Sequence, residues 1–275
     1  MIQDFKGKTA VLTGAGSGFG LECARIGAKL GMNLVLVDVQ QDALDKATAE
    51  IEATGVKVLS RRVDVSSQEQ MEALAADVHK TFGAPHFVFN NAGVGSGGLI
   101  WENSVKDWEW VLGVNLWGVV HGVRAFTPLM LAAAKADLTY RGHIVNTASM
   151  AGLIAMPGFG PYNATKHAVV AISEGLFLEL EAKGSGVSCS VLCPGFVKTS
   201  LTTEIKWSER LGAQPSDPTD PISAMMNEVL KAGVEDGIPA TDVAQQVHDA
   251  VVVGATGQFG GVRGFENLAQ GVRFL

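Results

Sequence analysis

The sequence predicts an α/β fold: one doubly wound parallel sheet with helices on both faces, in a single domain spanning residues 1–275. Three observations predict it. Short β-branched runs alternate with longer helical patterns, a glycine cluster follows the first of these runs, and no linker or solenoid-period repeat breaks the rhythm before residue 195. The chain has 275 residues, 47% hydrophobic and 18% charged, which suits a large core and excludes a disordered chain.

The strands are expected at Thr9–Thr13, Asn33–Val37, Val56–Ser60, His86–Asn90, His143–Thr147 and Val187–Leu192, each a short apolar run fit for burial on both faces. Helical patterns fill the gaps: 21–30, 41–54, 67–82, a long one from Ser104 to about Ala134, and Pro161–Lys183. Residues 196–242 differ. They carry "QPSDPTDP" and isolated apolar anchors, and read as a loop-helix insertion of the kind that closes over a site. The tail 254–275 is glycine-rich, has no clear period and makes a poor strand.

Composition also bounds function. A net charge of −7 gives no footprint for nucleic acid or an anionic membrane. Three sparse cysteines fit a reducing compartment, and six scattered histidines lack metal-ligand spacing, so no metal is expected. No signal-peptide pattern and no run of 18 apolar residues is evident, so a soluble cytoplasmic protein is expected.

In such sheets, ligands meet the carboxyl ends of the strands. After the first strand comes "TGAGSGFG", with Gly14, Ser17, Gly18, Phe19 and Gly20 opening a helix. Glycines there permit a tight turn and let a phosphate approach helix N–H groups. Asp38 ends the second strand about twenty residues on. It can accept both ribose hydroxyls of an adenosine, or simply cap the next helix. Asp64 and Val65 close the third strand, where a carboxylate could meet an adenine amine. Asn91, Ala92 and Gly93 follow the fourth, and turn chemistry is the competing reading.

Tyr162 and Lys166 stand four apart at the start of a helix that begins with Pro161, so they share a face. A free phenol has a pKa near ~10, and reaching ~7 needs about 4 kcal/mol of phenolate stabilisation. A neighbouring ammonium is expected to supply part of it. Ser149 follows the fifth strand in "NTASMAG". It lacks the G-x-S-x-G of a nucleophile elbow and suits a hydrogen-bond donor to a substrate oxygen. Asn115 lies mid-helix, a costly place that calls for either an interhelical hydrogen bond or a held water.

Taken together, "TGAGSGFG", "NNAG", "YNATK" and "PG" resemble the short-chain dehydrogenase/reductase family, over roughly Phe5 to Ser200. Phe19 stands where the family more often has isoleucine. The resemblance implies a Rossmann sheet of seven strands, a nicotinamide cofactor and a homotetramer. It maps a catalytic tetrad to Asn115, Ser149, Tyr162 and Lys166, and nicotinamide contacts to Pro194, Gly195, Val197 and Thr199. Lys166 would also hold the nicotinamide ribose.

The expected activity is NAD-dependent interconversion of a secondary alcohol and a ketone, with NADP disfavoured by Asp38. The apolar stretches "MAGLIAMPGFG" and "VGSGGLIW", with Trp207 and Met225–Met226, favour an apolar, cyclic or aromatic alcohol. Two alternatives are a nucleotide-sugar epimerase or dehydratase, whose branch has a different glycine spacing, and an inactive cofactor-binding sensor or scaffold.

Overall fold

The computed structural model describes residues 2, 4–95, 97–199, 221–253 and 272–274. Its strands are β1 (Thr9–Thr13), β2 (Asn33–Asp38), β3 (Val58–Arg62), β4 (Phe87–Asn90), β5 (Gly142–Thr147), β6 (Val187–Pro194), β7 (Val197–Lys198), β8 (Ile238–Pro239) and β9 (Val272–Phe274). The helices are α1 (Gly18–Lys29), α2 (Gln41–Glu52), α3 (Gln68–Phe82), α4 (Val105–Val111), α5 (Gly118–Ala136), α6 (Gly160–Lys183), α7 (Pro221–Glu235) and α8 (Ala240–Val253).

The main sheet has the order β3-β2-β1-β4-β5-β6-β9. Its first six strands are parallel, and β9 runs antiparallel against β6, with Leu192 opposite Phe274. The chain order reverses between β1 and β4, which creates the crevice where such sheets take ligands. The central strands are buried on both faces. Leu12, Leu34, Leu36, Phe87 and Phe89 form one core with α1 and α8. Val11, Val35, Val88 and Ile144 form the other with Met71, Leu74, Phe126, Met130 and Leu176 of α3, α5 and α6.

Three expectations are corrected. The third strand lies two residues later than Val56–Ser60, because its register is set by β2, with Leu34 opposite Val58 and Asp38 opposite Arg62. As the sheet's edge, β3 can carry the exposed Arg61 and Arg62. The tail does supply a strand, β9. Its hydrogen-bonding partner is β6, a partner no local period could indicate.

The long helix from Ser104 is not uniform either. After α4 the chain widens into a π-helical stretch, Leu112–Trp117, and then resumes as α5. Val105–Ala136 is long and apolar enough to cross a membrane by length and composition. Val111, Phe126 and Met130 are fully buried in the packed domain, and a third of the apolar window is buried with them. Of the expected insertion at 196–242, residues 200–220 and therefore Trp207 lie outside the described residues. The remainder forms β7, α7 and β8, with β7 and β8 paired. Residues 254–271 of the tail also lie outside.

Candidate active site

The glycine loop between β1 and α1 has the shape its sequence requires. Gly14 and Gly18 take φ values of +68° and +51°, a region that favours glycine. A Cβ on Gly20 would stand 2.1 Å from the Gly14 carbonyl oxygen, so no side chain fits there. Ser17 is the N-cap of α1, in extended conformation, and its hydroxyl makes no capping bond. The Phe19 ring packs partly buried against the core.

Asp38 binds this loop to the end of β2. Its Oδ2 accepts from Gly16 N at 2.9 Å and its Oδ1 from Gln40 N at 2.9 Å. The N-cap of α2 is Gln40, so Asp38 is not the cap. Gly16, which the sequence reading passed over, is held tightly here. A Cβ on it would meet Asp38 Oδ2 and Ala43 Cβ, each at 2.9 Å.

One strand further out, Asp64 accepts at Oδ1 from Ser66 N at 3.0 Å and from Ser66 Oγ at 2.6 Å. The Val65 carbonyl faces His121 Nδ1 at 2.9 Å.

Behind the loop after β4 stands Thr13. Its hydroxyl donates to Phe89 O at 3.2 Å and accepts from Asn91 N at 2.9 Å and Ala92 N at 3.0 Å. Asn91 Nδ2 donates to Thr13 O at 3.1 Å, and its Oδ1 accepts from Thr147 Oγ1 at 3.3 Å. Thr13 and Thr147 thus set the Asn91–Gly93 turn. Thr13 lay inside the recognised glycine motif, but only the tertiary contact shows what its hydroxyl does.

Asn115 does not make an interhelical hydrogen bond, because its side chain bonds to the loop after β4 instead. From the π-helical stretch its Oδ1 accepts from Val94 N at 2.8 Å while its Nδ2 donates to Val94 O at 2.9 Å. The side chain is fully buried and grips one residue of the loop after Gly93. π-Helical turns are rare and frequent at functional sites, and this one turns a mid-helix asparagine toward the sheet edge.

Tyr162 and Lys166 share a face of α6, as their spacing predicts. Lys166 Nζ lies 5.5 Å from the centre of the Tyr162 ring and donates to Thr147 O at 2.7 Å. The same Nζ is 3.8 Å from where a Cβ on Gly93 would stand, and Asn115 Oδ1 is 3.4 Å from that point. Ser149 follows β5 and caps a 3-10 turn, Met150–Gly152. Its Oγ accepts from Ala151 N at 3.1 Å and donates to Pro194 O at 3.4 Å.

The phenol's electrostatics in the chain alone are set by burial. Burial pushes the Tyr162 pKa above its ordinary value, and the hydrogen bond from Ser149 only partly opposes this. Burial also pushes Lys166 down to about 8, leaving it mostly protonated at neutral pH. In the chain by itself, burial is the larger influence on the phenol.

The last turn closes the site. Thr199 Cγ2 lies 3.6 Å from the position of a Gly18 Cβ, so the segment after β6 returns to the glycine loop. Pro194 ends β6, Gly195 follows it half-buried, and Val197 in β7 is buried in the core. Cys193 is fully buried, as expected of a small apolar side chain. His167, exposed on α6, faces the Asn163 carbonyl at 2.9 Å. Among the described residues, the expected site residues line the carboxyl edge of the sheet from β3 to β6.

Comparison with known proteins agrees with this arrangement. Residues 8–210 match the sequence pattern of the family described as short chain dehydrogenase. A crystal structure of a short chain dehydrogenase/reductase from Burkholderia phymatum, in complex with NAD, is 46% identical with a TM-score of 0.84. That match covers 92% of this chain and 88% of that one. The CLA biosynthesis dehydrogenase/reductase of Lactiplantibacillus plantarum is 35% identical, over 80% of this chain and 74% of its own length. Cyclohexanol dehydrogenase of an Acinetobacter species is 36% identical, over 78% of this chain and 83% of its own length. The chain belongs to the short-chain dehydrogenase/reductase family.

Proposed function

We propose that the protein is an NAD-dependent dehydrogenase that interconverts an apolar, cyclic or aromatic secondary alcohol and its ketone. The observation that carries the reading is the cluster of Ser149, Tyr162 and Lys166 at the edge of the sheet, beside a glycine loop that closes only without side chains. A dinucleotide fits that loop. Gly14 and Gly18 hold the left-handed backbone the turn needs, Gly20 lets the helix start pack against the Gly14 carbonyl, the N-terminal turn of α1 suits a pyrophosphate, and the Asp38 carboxylate suits an adenosine ribose. When bound, an oxidised nicotinamide supplies the two-electron acceptor and a positive ring charge.

Pro194, Gly195, Val197 and Thr199 would flank the nicotinamide. Lys166 would hold its ribose, and Asn91, Ala92 and Gly93 would line the turn beside it. Asp64 and Val65 would meet the adenine. Tyr162 takes the hydroxyl proton of the alcohol during oxidation and returns it during reduction. Ser149 donates to the same substrate oxygen and keeps it within reach of the phenol. Lys166, charged at neutral pH, favours the phenolate. Asn115 fixes the backbone at Val94, and through it the floor beneath Lys166.

The substrate class is supported by the exposed Ile100, Trp101 and Ile154 near the site and by the names of the relatives. A screen of cyclic, aromatic and polyol alcohols with NAD tests it, and turnover of polyols alone would overturn it. Tyr162→Phe should keep cofactor binding and lower kcat by roughly 10²–10⁴. Near-parental turnover in that variant would refute the proton role. The reading includes a homotetramer, supported by the exposed Trp117 and Leu178 beside and on the long helices α5 and α6. Light scattering at micromolar concentration that gave a monomer would exclude it.

A further inference from the structure

Asn163 follows Tyr162 directly, inside α6, where an asparagine side chain competes with the helix and needs a reason. Its amide does not turn to solvent. The Nδ2 donates to Met156 O at 2.8 Å and the Oδ1 accepts from Met156 N at 3.4 Å. Both polar backbone groups of one loop residue are thereby satisfied by one side chain, as a strand neighbour would satisfy them. Asn115 does the same to Val94 from the other side of the site.

The two gripped residues lie on the two loops that carry the apolar surface at the site. Val94 begins the loop bearing Ile100 and Trp101, and Met156 lies in the loop bearing Leu153 and Ile154. The loops are also joined to each other. Gly98 forms a parallel bridge with Phe159, and a Cβ on Gly160 would stand 2.7 Å from Ile100 Cγ1. Phe159 turns its ring edge-on toward Tyr162, with centroids 6.3 Å apart.

We infer that Asn163 is a positioning residue for substrate specificity, which holds the Met150–Phe159 loop as one wall of the alcohol cleft. The inference rests on the dehydrogenase reading. Asn163 itself touches neither the proton path nor the glycine loop. Losing its grip frees the wall to move, so the cleft discriminates less between substrates that fill it and those that do not. Cofactor binding and proton exchange keep their residues.

The test compares the parent with Asn163→Ala and Asn163→Asp. The second keeps size and the Oδ1 acceptor but sets an oxygen against the Met156 carbonyl in place of a donor. KM and kcat are measured with NAD for 2-butanol, cyclohexanol and 1-phenylethanol, together with the Kd for NAD and hydrogen exchange at the Met156 amide. The expected result is a KM for cyclohexanol and 1-phenylethanol raised about tenfold, a KM for 2-butanol within about twofold, kcat within about threefold and an unchanged Kd for NAD. The Met156 amide should exchange at least tenfold faster in both variants.

A parental ratio of kcat/KM between large and small alcohols in either folded variant would overturn the inference. So would an equal loss for all three alcohols, or parental protection of Met156. If the parent turned over no alcohol or ketone, the dehydrogenase reading would fail and the specificity role with it, while exchange at Met156 would still decide whether the grip exists.

Discussion

Replacing Asp38 should convert the cofactor preference, and the structure sets the size of the effect. Each carboxylate oxygen accepts one backbone N–H, from Gln40 and from Gly16, both at 2.9 Å. Each keeps a further lone pair for a ribose hydroxyl, already oriented by the loop it holds. Hydrogen bonds to a charged group contribute about 1.5–3 kcal/mol each; NADP keeps the 3′-hydroxyl, so the one lost 2′-hydroxyl bond together with carboxylate–phosphate repulsion should favour NAD by about 3 kcal/mol or more, a hundredfold in kcat/KM. A 2′-phosphate would meet the same carboxylate at contact distance, and repulsion acts in the same direction. The nearby cations are divided. Arg61 Nε pairs with Asp77 of α3 at 2.8 Å, whereas Arg62, opposite Asp38 in the sheet, donates to Val39 O at 3.0 Å.

Asp38→Ala should therefore lower kcat/KM for NAD about a hundredfold and raise it for NADP, with Arg62 the cation in place to meet the phosphate. Asp38→Asn separates loop order from charge, because it keeps an oxygen for one of the two N–H groups while removing the repulsion. The assay is a parallel titration of both cofactors on the three proteins. Equal efficiency with NAD and NADP in the parent, or no gain for NADP in either variant, would refute the reasoning.

Two further outcomes follow from burial and packing. Gly20→Ala places a Cβ 2.1 Å from Gly14 O, so the loop must open. Isothermal titration should show NAD affinity reduced at least tenfold, and unchanged affinity would show that the loop adapts. His143 is buried with Nε2 facing Ser190 Oγ at 2.8 Å, and burial pushes its pKa down to about 3. Between roughly pH 6.5 and 3 the unfolded chain takes up a proton that the folded chain refuses, so stability is lost as pH falls through that window. His86, pushed down to about 4 by burial, acts in the same direction. Melting temperatures of the parent from pH 7 to 4.5 should fall more steeply than those of His143→Gln, and parallel curves would remove His143 from the account.

Much of the fold was legible in the sequence because its signals are local. Runs such as Asn33–Val37 can be buried on two faces only in a covered parallel sheet, and helical periods between them require crossover connections. The glycines at 14, 18 and 20 and the four-residue step from Tyr162 to Lys166 are likewise fixed by backbone geometry, whatever surrounds them. The place of Asp38 at the end of β2 was readable as well, since it follows from the alternation itself.

What only the tertiary structure decided depends on partners distant in the chain. The register of β3 is set by β2, and β9 exists as a strand through pairing with β6. Thr13 and Thr147 became parts of the site through hydrogen bonds to Asn91, 78 and 56 residues away. Asn115 and Asn163 each take the backbone of a single loop residue, a choice their helical positions leave open. The direction of the Tyr162 pKa was the least legible, since the desolvation that raises it exists only once the site is enclosed. Periodicity records what a residue does to its own segment. Burial, register and hydrogen-bond partners are properties of the closed fold, and here they set the chemistry of residues the sequence had already placed.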